Sequence, residues 1–467
     1  MITKAVNELV EYATFHLGLD KKDVVYVRNM LLDSLNLSDC YEGEIDSEKI
    51  KNMTVPDEIL NSIAEYVKEN AIVDELLIPN FLAKLMGFAT PSPSAVERTF
   101  AEKYKADKKS ATDYLYDLSI KNNYIQKTAV DKNLWWQADY KQGSSLEITI
   151  NLSKPEKNNK DIAKLLTQKS TNYPKCALCY ENVGFAGNLT KAARQNLRTI
   201  DLKLGGEEWF MQYSPYVYYD EHCIVINKEH HPMAVTSGTF EKLMEFVDIF
   251  PQYFVGSNAC LPIVGGSILN HEHYQGGKHL MPLHYSAPRK FFVDKKYPDT
   301  EISILEWYNS CVRIESENEQ HVIEEAKKLW ATFENYSDES VGIFAETNGE
   351  KHNAVTPIAR RCGKKYIIEI ILRNNITSEE HPDGVFHAHT EYHDVKSEGI
   401  GLIEAMGLFI LPPRLLKSME NEPNKYTKEY INNACQNILK NTAIFKDDEV
   451  GQKAFEVLLK KCGYEVK

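Results

Sequence analysis

A chain of 467 residues, 43% of them hydrophobic, has apolar material for two to three cores at roughly 100–200 residues per domain. A formal net charge of −13 argues against a broad nucleic-acid or anionic-membrane surface, while leaving room for a local basic pocket. No run reaches the ~18 apolar residues of a membrane span, Met1-Ile2-Thr3-Lys4 opens no signal-peptide core, and nine cysteines are too sparse for a disulfide scaffold, so a cytoplasmic protein with reduced thiols is expected.

Residues 1–150 read as a helical N-terminal region. Segments 5–17 and 57–73 carry apolar residues at helical spacing with charges between them. Pro56, followed by Asp57 and Glu58, suits a helix start, where a missing N–H costs nothing. Residues 107–123 suggest a further short helix. No chemistry-bearing motif lies here, and amphipathic helices usually exist to pack, so a support or oligomer-contact role is expected. Residues 146–152 alternate and predict a strand; the polar stretch 153–160 reads as a linker.

A second region spans 160–300, and within it, from 176 to 283, strand-like runs dominate, with 216–219, 223–226 and 261–264 as examples and one amphipathic helix at about 239–254. The third region, 301–467, starts with a helical reading over 302–336. Strands are predicted at 342–346, 354–359, 366–372 and 385–390. Pro412-Pro413 closes this run, and 425–467 looks like helical closure. The order predicts an α+β fold of mainly antiparallel sheets with flanking helices.

Cys176-Ala177-Leu178-Cys179 could hold one zinc ion from a tight turn, with two further ligands drawn from His222, His230, His231 and His271. A redox pair or inert cysteines are the alternatives, though a thioredoxin-like context is missing. Gly265-Gly266-Ser267-Ile268-Leu269-Asn270-His271-Glu272-His273-Tyr274-Gln275-Gly276-Gly277 is the most informative run. If extended, it puts His271, His273 and Gln275 on one face. A neutral imidazole can attack phosphorus near neutral pH, splitting one hard transfer into two easier ones. Gln275 could donate to a phosphate oxygen. Two satisfied strand-edge histidines, or a metal bound by both, are the competing readings. His387, His389 and Glu391 also alternate, with His381 and His393 nearby; a solvated strand end or a second metal or substrate contact would explain them. Arg194 and Asn196 could supply phosphate and sugar contacts, or belong to an ordinary polar turn. Gly205-Gly206 and Gly276-Gly277 fit no phosphate-loop frame.

The run from Leu261 to Gly277 closely resembles the signature of class II galactose-1-phosphate uridylyltransferases. Residues 174–182, 193–198, 213–219, 221–225 and 399–408 also resemble segments of that family. The resemblance implies a histidine-triad fold and a ping-pong exchange of UMP between UDP-glucose and galactose 1-phosphate. It implies that His273 is the nucleophile and Gln275 the phosphoryl contact. Asn258 and Ser267 resemble nucleotide-contacting residues, and the diphosphate would lie against glycine backbone such as that of Gly266. It implies a structural zinc held by Cys176, Cys179, His230 and His271, with His230 preferred to His231, and no organic cofactor. His387 and His389 resemble a pair at a second metal site. Related class I enzymes are dimers, so a homodimer is expected. Two positions depart from the class II pattern: Cys260 stands where Asp is common and Asn270 where a small residue is common. A dinucleotide phosphorylase or nucleotidyl hydrolase using the same histidine is the enzymatic alternative, and a zinc-stapled interaction protein the non-enzymatic one.

Overall fold

The computed structural model describes residues 1–138, 145–153 and 172–467. The expected linker 153–160 lies outside the described residues except for Ser153. The chain divides into two compact units, one of residues 1–132, 153–202 and 208–217, the other of residues 133–152, 203–207 and 218–467.

The first unit is mainly helical, as its amphipathic segments lead one to expect. Helix Ile2–Tyr12 continues as a π turn over Ala13–Leu17 and buries Val6, Leu9, Val10 and Ala13. Helix Asp57–Glu69 starts after Pro56, which is its N-cap, and its first turn carries Asp57 and Glu58, favourable beside the positive end of the helix dipole. It buries Ile59, Leu60, Ile63 and Val67. Helix Lys108–Lys121 is capped by Asp107, which accepts from Lys109 and Ser110 N–H. Arg198, buried, donates to the carbonyls of Pro91, Gln195, Leu197, Gly87 and Thr90 at 2.7–3.3 Å. Three of those carbonyls lie at or just past the end of helix Ile78–Ala89, where unpaired oxygens and the negative dipole end attract a cation.

The second unit is built on an antiparallel sheet. Its strands run in the order Glu465–Val466, Pro288–Val293, Glu301–Leu305, Cys311–Ser316, Lys365–Asn374, Asn353–Cys362, Phe254–Gly256, His273–Gly277 and Cys223–Asn227. Helices Ser237–Ile249 and Glu319–Glu334 pack on it. A smaller sheet joins Leu134–Ala138, Leu146–Ile150 and Leu408–Leu411, and its Ile148, Ile150 and Phe409 sit in a core with Trp307 and Met406. In the large sheet Arg313 lies opposite Glu369, and Arg360 joins them, so one buried carboxylate accepts from two guanidinium groups at 2.8–2.9 Å. The α+β expectation holds, and no described helix is long and apolar enough to cross a membrane.

Several element boundaries differ from the sequence reading. Residues 302–336 hold two strands, Glu301–Leu305 and Cys311–Ser316, before the helix Glu319–Glu334. The helix expected at 239–254 is Ser237–Ile249, and Phe254 begins a strand. Residues 216–219 and 261–264 form no strand: Val217 (φ 40°) and Ile263 (φ 73°) adopt backbone angles that a strand excludes. Over 342–346 there is one isolated bridge, at Ile343, and the start of the two-residue strand Glu346–Thr347. The stretch 385–390 is irregular. The end of the chain holds helices Lys428–Asn441 and Glu449–Lys461, then the edge strand Glu465–Val466.

Candidate active site

Strand His273–Gly277 has a hydrogen-bonded neighbour on each edge. Across one edge Ile226 faces His273 and Ile224 faces Gln275; across the other Gly256 faces Gln275 and Val255 faces Gly276. The period-2 expectation therefore holds for His273 and Gln275, which share a face, while Tyr274 points the other way and is fully buried. His271 lies just before the strand. Glycine is required at 276, since a Cβ there would stand 2.5 Å from the carbonyl oxygen of Phe254.

His273 is buried, and its Nδ1 lies 2.8 Å from the carbonyl oxygen of His271. A carbonyl only accepts, so Nδ1 carries the proton and Nε2 keeps its lone pair. Burial drives the pKa down to about 4, with the His271 carbonyl opposing and the His271 ring assisting. The imidazole is neutral at neutral pH, the form a nucleophile needs.

His271 is fully buried, and its Nε2 donates to the Asn227 carbonyl at 2.8 Å, leaving Nδ1 as its ligand atom. The loop holding His230 is laced to this stretch. Glu272 N–H donates to the His231 carbonyl (2.8 Å), Asn227 N–H to the Glu272 carbonyl (3.1 Å) and Met233 N–H to the Leu269 carbonyl (2.9 Å). The His230 and His271 rings lie 4.6 Å apart. His231 turns outward, its Nε2 3.4 Å from Glu272 Oε2.

Cys176 and Cys179 have their sulfurs 3.6 Å apart. Tetrahedral zinc with ~2.3 Å bonds would set two sulfurs about 3.8 Å apart, so the spacing fits. Cys176 N–H points at Cys179 Sγ and Leu178 N–H at Cys176 Sγ (3.3 and 3.4 Å), while the Asn182 amide clamps the turn through the carbonyls of Cys176 and Cys179. Cys176 and Cys179 belong to the first unit and His230 and His271 to the second. Two thiols and two imidazoles form a donor set that suits zinc. His222 and His231, also ligand candidates by sequence, are not in it.

The expected substrate contacts fall as follows. Asn258 is buried, and its Oδ1 accepts from Leu402 N–H at 2.8 Å. That turns its amide nitrogen to Gly266, where a Cβ would stand 2.8 Å from it. Ser267 is exposed on the same loop. Gln275 is half-buried, and its Oε1 lies 3.1 Å from His222 Nε2, a contact that the sequence reading missed. In the other unit, Arg194 lies over the Tyr124 ring (5.6 Å). Asn196 and Asn122 exchange amide-to-carbonyl hydrogen bonds at 2.7 and 3.0 Å, which commits the Asn196 amide nitrogen. His387 and His389 do not share a strand face. His387 Nε2 accepts from Ile400 N–H (3.2 Å), whereas His389 stacks on His381 at 3.9 Å.

Two sequence profiles match this chain: "Galactose-1-phosphate uridyl transferase, N-terminal domain" over residues 19–232 and the corresponding C-terminal domain over 245–437. The galactose-1-phosphate uridylyltransferase of Fusobacterium nucleatum is 45% identical, over 89% of this chain and 81% of that protein. The enzyme of the same name from Caldanaerobacter subterraneus is 39% identical, over 98% of both. Among solved structures, the crystal structure of yeast Ap4A phosphorylase Apa2 aligns at a TM-score of 0.34 and 12% identity, covering 72% of this chain and 93% of that one.

Proposed function

Because this chain belongs to the galactose-1-phosphate uridylyltransferase family, we propose that it transfers UMP from UDP-glucose to galactose 1-phosphate through a covalent intermediate on His273. The observation that carries this reading is the buried imidazole whose Nδ1–H is held by the His271 carbonyl, leaving Nε2 bare. Its lone pair attacks the α-phosphorus. The bond from phosphorus to the bridging oxygen breaks, and glucose 1-phosphate leaves with the electron pair. The His271 carbonyl stabilises the positive charge that develops on the ring. In the second half a phosphate oxygen of galactose 1-phosphate attacks the same phosphorus, the P–N bond breaks, its electrons return to Nε2, and UDP-galactose leaves. No proton has to be moved in either half.

Gln275 supplies an amide donor to a non-bridging phosphoryl oxygen from the same strand face. Asn258, Gly266 and Ser267 line the nucleotide, with Asn258 oriented by the main chain of Leu402. Arg194 serves as a phosphate contact, and Asn196, whose amide nitrogen is held by Asn122, offers its amide oxygen as a sugar contact. Cys176, Cys179, His230 and His271 would hold a zinc ion, which would supply a structural clamp on His271 and so on the carbonyl that sets the His273 tautomer.

The test is an exchange assay with UDP-glucose and galactose 1-phosphate. Equal amounts of glucose 1-phosphate and UDP-galactose should form, with parallel initial-rate lines as one substrate is varied at fixed levels of the other. Free UMP appearing at the rate of glucose 1-phosphate would instead establish a nucleotidyl hydrolase.

A further inference from the structure

His222 stands one step beyond the register that pairs Cys223 with Gly276, so the residue opposite it is Gly277. Gly277 has no side chain, and the imidazole reaches diagonally across the sheet face to Gln275. Its Nε2 lies 3.1 Å from Gln275 Oε1. The ring has little freedom: it is 2% exposed, with Tyr218 stacked at 5.2 Å and Tyr219 tilted at 4.5 Å. The Tyr219 hydroxyl donates to the Gly276 carbonyl at 3.1 Å, tying the same wall to the strand that carries Gln275.

The other ring nitrogen, Nδ1, is buried without a partner. Burial lowers the pKa of His222 to about 4, against the hydrogen bond that it makes to Gln275, so the ring carries one proton at neutral pH. An orphaned N–H is costlier to bury than an orphaned lone pair. The proton therefore sits on Nε2 and is donated to Gln275 Oε1. The Gln275 NH2 group must then point away from His222, with both donors available.

We propose that His222 is a positioning residue: it fixes the orientation of the Gln275 amide so that nitrogen, and not oxygen, meets the transferring phosphoryl group. A glutamine amide left alone has two orientations of nearly equal energy and a freely rotating stem. One orientation would set an oxygen lone pair against an anionic phosphoryl oxygen. His222 removes that orientation and holds the stem in place. Its own ring touches no reacting atom. The inference rests on the reading of Gln275 as the phosphoryl contact.

The test is a double-mutant cycle between His222→Phe and Gln275→Ala, with kcat, KM for UDP-glucose and melting temperature measured for each protein. Gln275→Ala alone is expected to lower kcat by about a hundredfold. His222→Phe alone is expected to lower it by about tenfold through the freed side chain, with KM changed by less than about threefold. In the Gln275→Ala background, His222→Phe should cost nothing further. His222→Gln, which keeps an amide donor in that place, should restore kcat to within about threefold of the parent. If Gln275→Ala leaves kcat unchanged, the reading of Gln275 falls. If Gln275→Ala is impaired but His222→Phe is not, or if their losses multiply, the positioning role is overturned while the reading of Gln275 stands. If His222→Phe does not fold, His222→Gln decides alone: a loss as large as that of Gln275→Ala at an unchanged melting temperature overturns the proposal.

Discussion

Replacing Gly276 by alanine puts a methyl group 2.5 Å from the carbonyl oxygen of Phe254. Contacts between carbon and a carbonyl oxygen ordinarily close at about 3.3 Å, so about 0.8 Å must be found. The obstacle is the main chain of a paired strand, which cannot rotate aside as a side chain would. Retreat the other way is limited, because Cys223 Sγ already stands 3.4 Å from the same Cβ. Strand His273–Gly277 must separate from Phe254–Gly256, carrying Gln275 and His273 with it. Overpacking of this kind costs about 1–3 kcal/mol. At roughly 2–4 °C per kcal/mol for a unit of this size, the melting temperature should fall by about 2–12 °C. Displacement of the reacting groups by a large fraction of an ångström should lower kcat by about 10- to 100-fold. Initial rates of sugar 1-phosphate exchange and a thermal melt read both effects. Gly238→Ala is the control: its Cβ meets nothing nearer than 3.8 Å, and it lies in helix Ser237–Ile249, so activity should be unchanged. A Gly276→Ala protein with parental melting temperature and kcat would refute the reasoning that strand spacing sets the site.

Glu369→Gln should be strongly destabilising, by about 3–5 kcal/mol at neutral pH, because it leaves Arg313 and Arg360 buried without their counter-charge; urea unfolding at parental stability would contradict this. Burial pushes the Glu369 carboxyl up, but Arg360, His284 and Arg313 outweigh it and hold it down at about 2. A depressed carboxylate stabilises the fold above its unfolded value of about 4.3, and that contribution is lost as the pH falls towards 2. The parent should therefore lose stability across that window, and the Gln variant should lack this part of the acid dependence. Replacing Cys176 and Cys179 together by serine should lower zinc content and folded yield in parallel; stoichiometric zinc kept by the double variant would rule out the proposed ligand set.

The site was more legible in the sequence than the elements around it. Alternation alone placed His273 and Gln275 on one face, because that strand obeys the simple period. The helical reading of 302–336 passed over two strands whose alternation the sequence does carry, Glu301-Ile302-Ser303-Ile304 and Val312-Arg313-Ile314-Glu315. Both of their faces are covered, since Ser303 and Arg313 are buried along with Ile302, Ile304, Val312 and Ile314. Arg313 is tolerated there only because Glu369 lies across from it on another strand, a fact no local window contains. Residues 261–264 failed in the opposite sense. Their apolar run looks like a strand, yet Ile263 takes a positive φ, and the segment is held as a turn by the bridge between Ala259 and Gly265. His222 was visible only as a generic ligand. Its contact with Gln275 depends on a register between segments about fifty residues apart and on the missing side chain at Gly277. Asn196 shows the reverse: a polar residue in a suggestive motif whose amide nitrogen is committed to Asn122.

The most direct test of the central claim is mass spectrometry of the protein after incubation with UDP-glucose alone. A uridylyl adduct is expected on the peptide carrying His273, discharged as UDP-galactose when galactose 1-phosphate is added, and absent from a folded His273→Ala protein. An adduct on another residue, or unchanged exchange activity in His273→Ala, would contradict the assignment of His273 as the nucleophile.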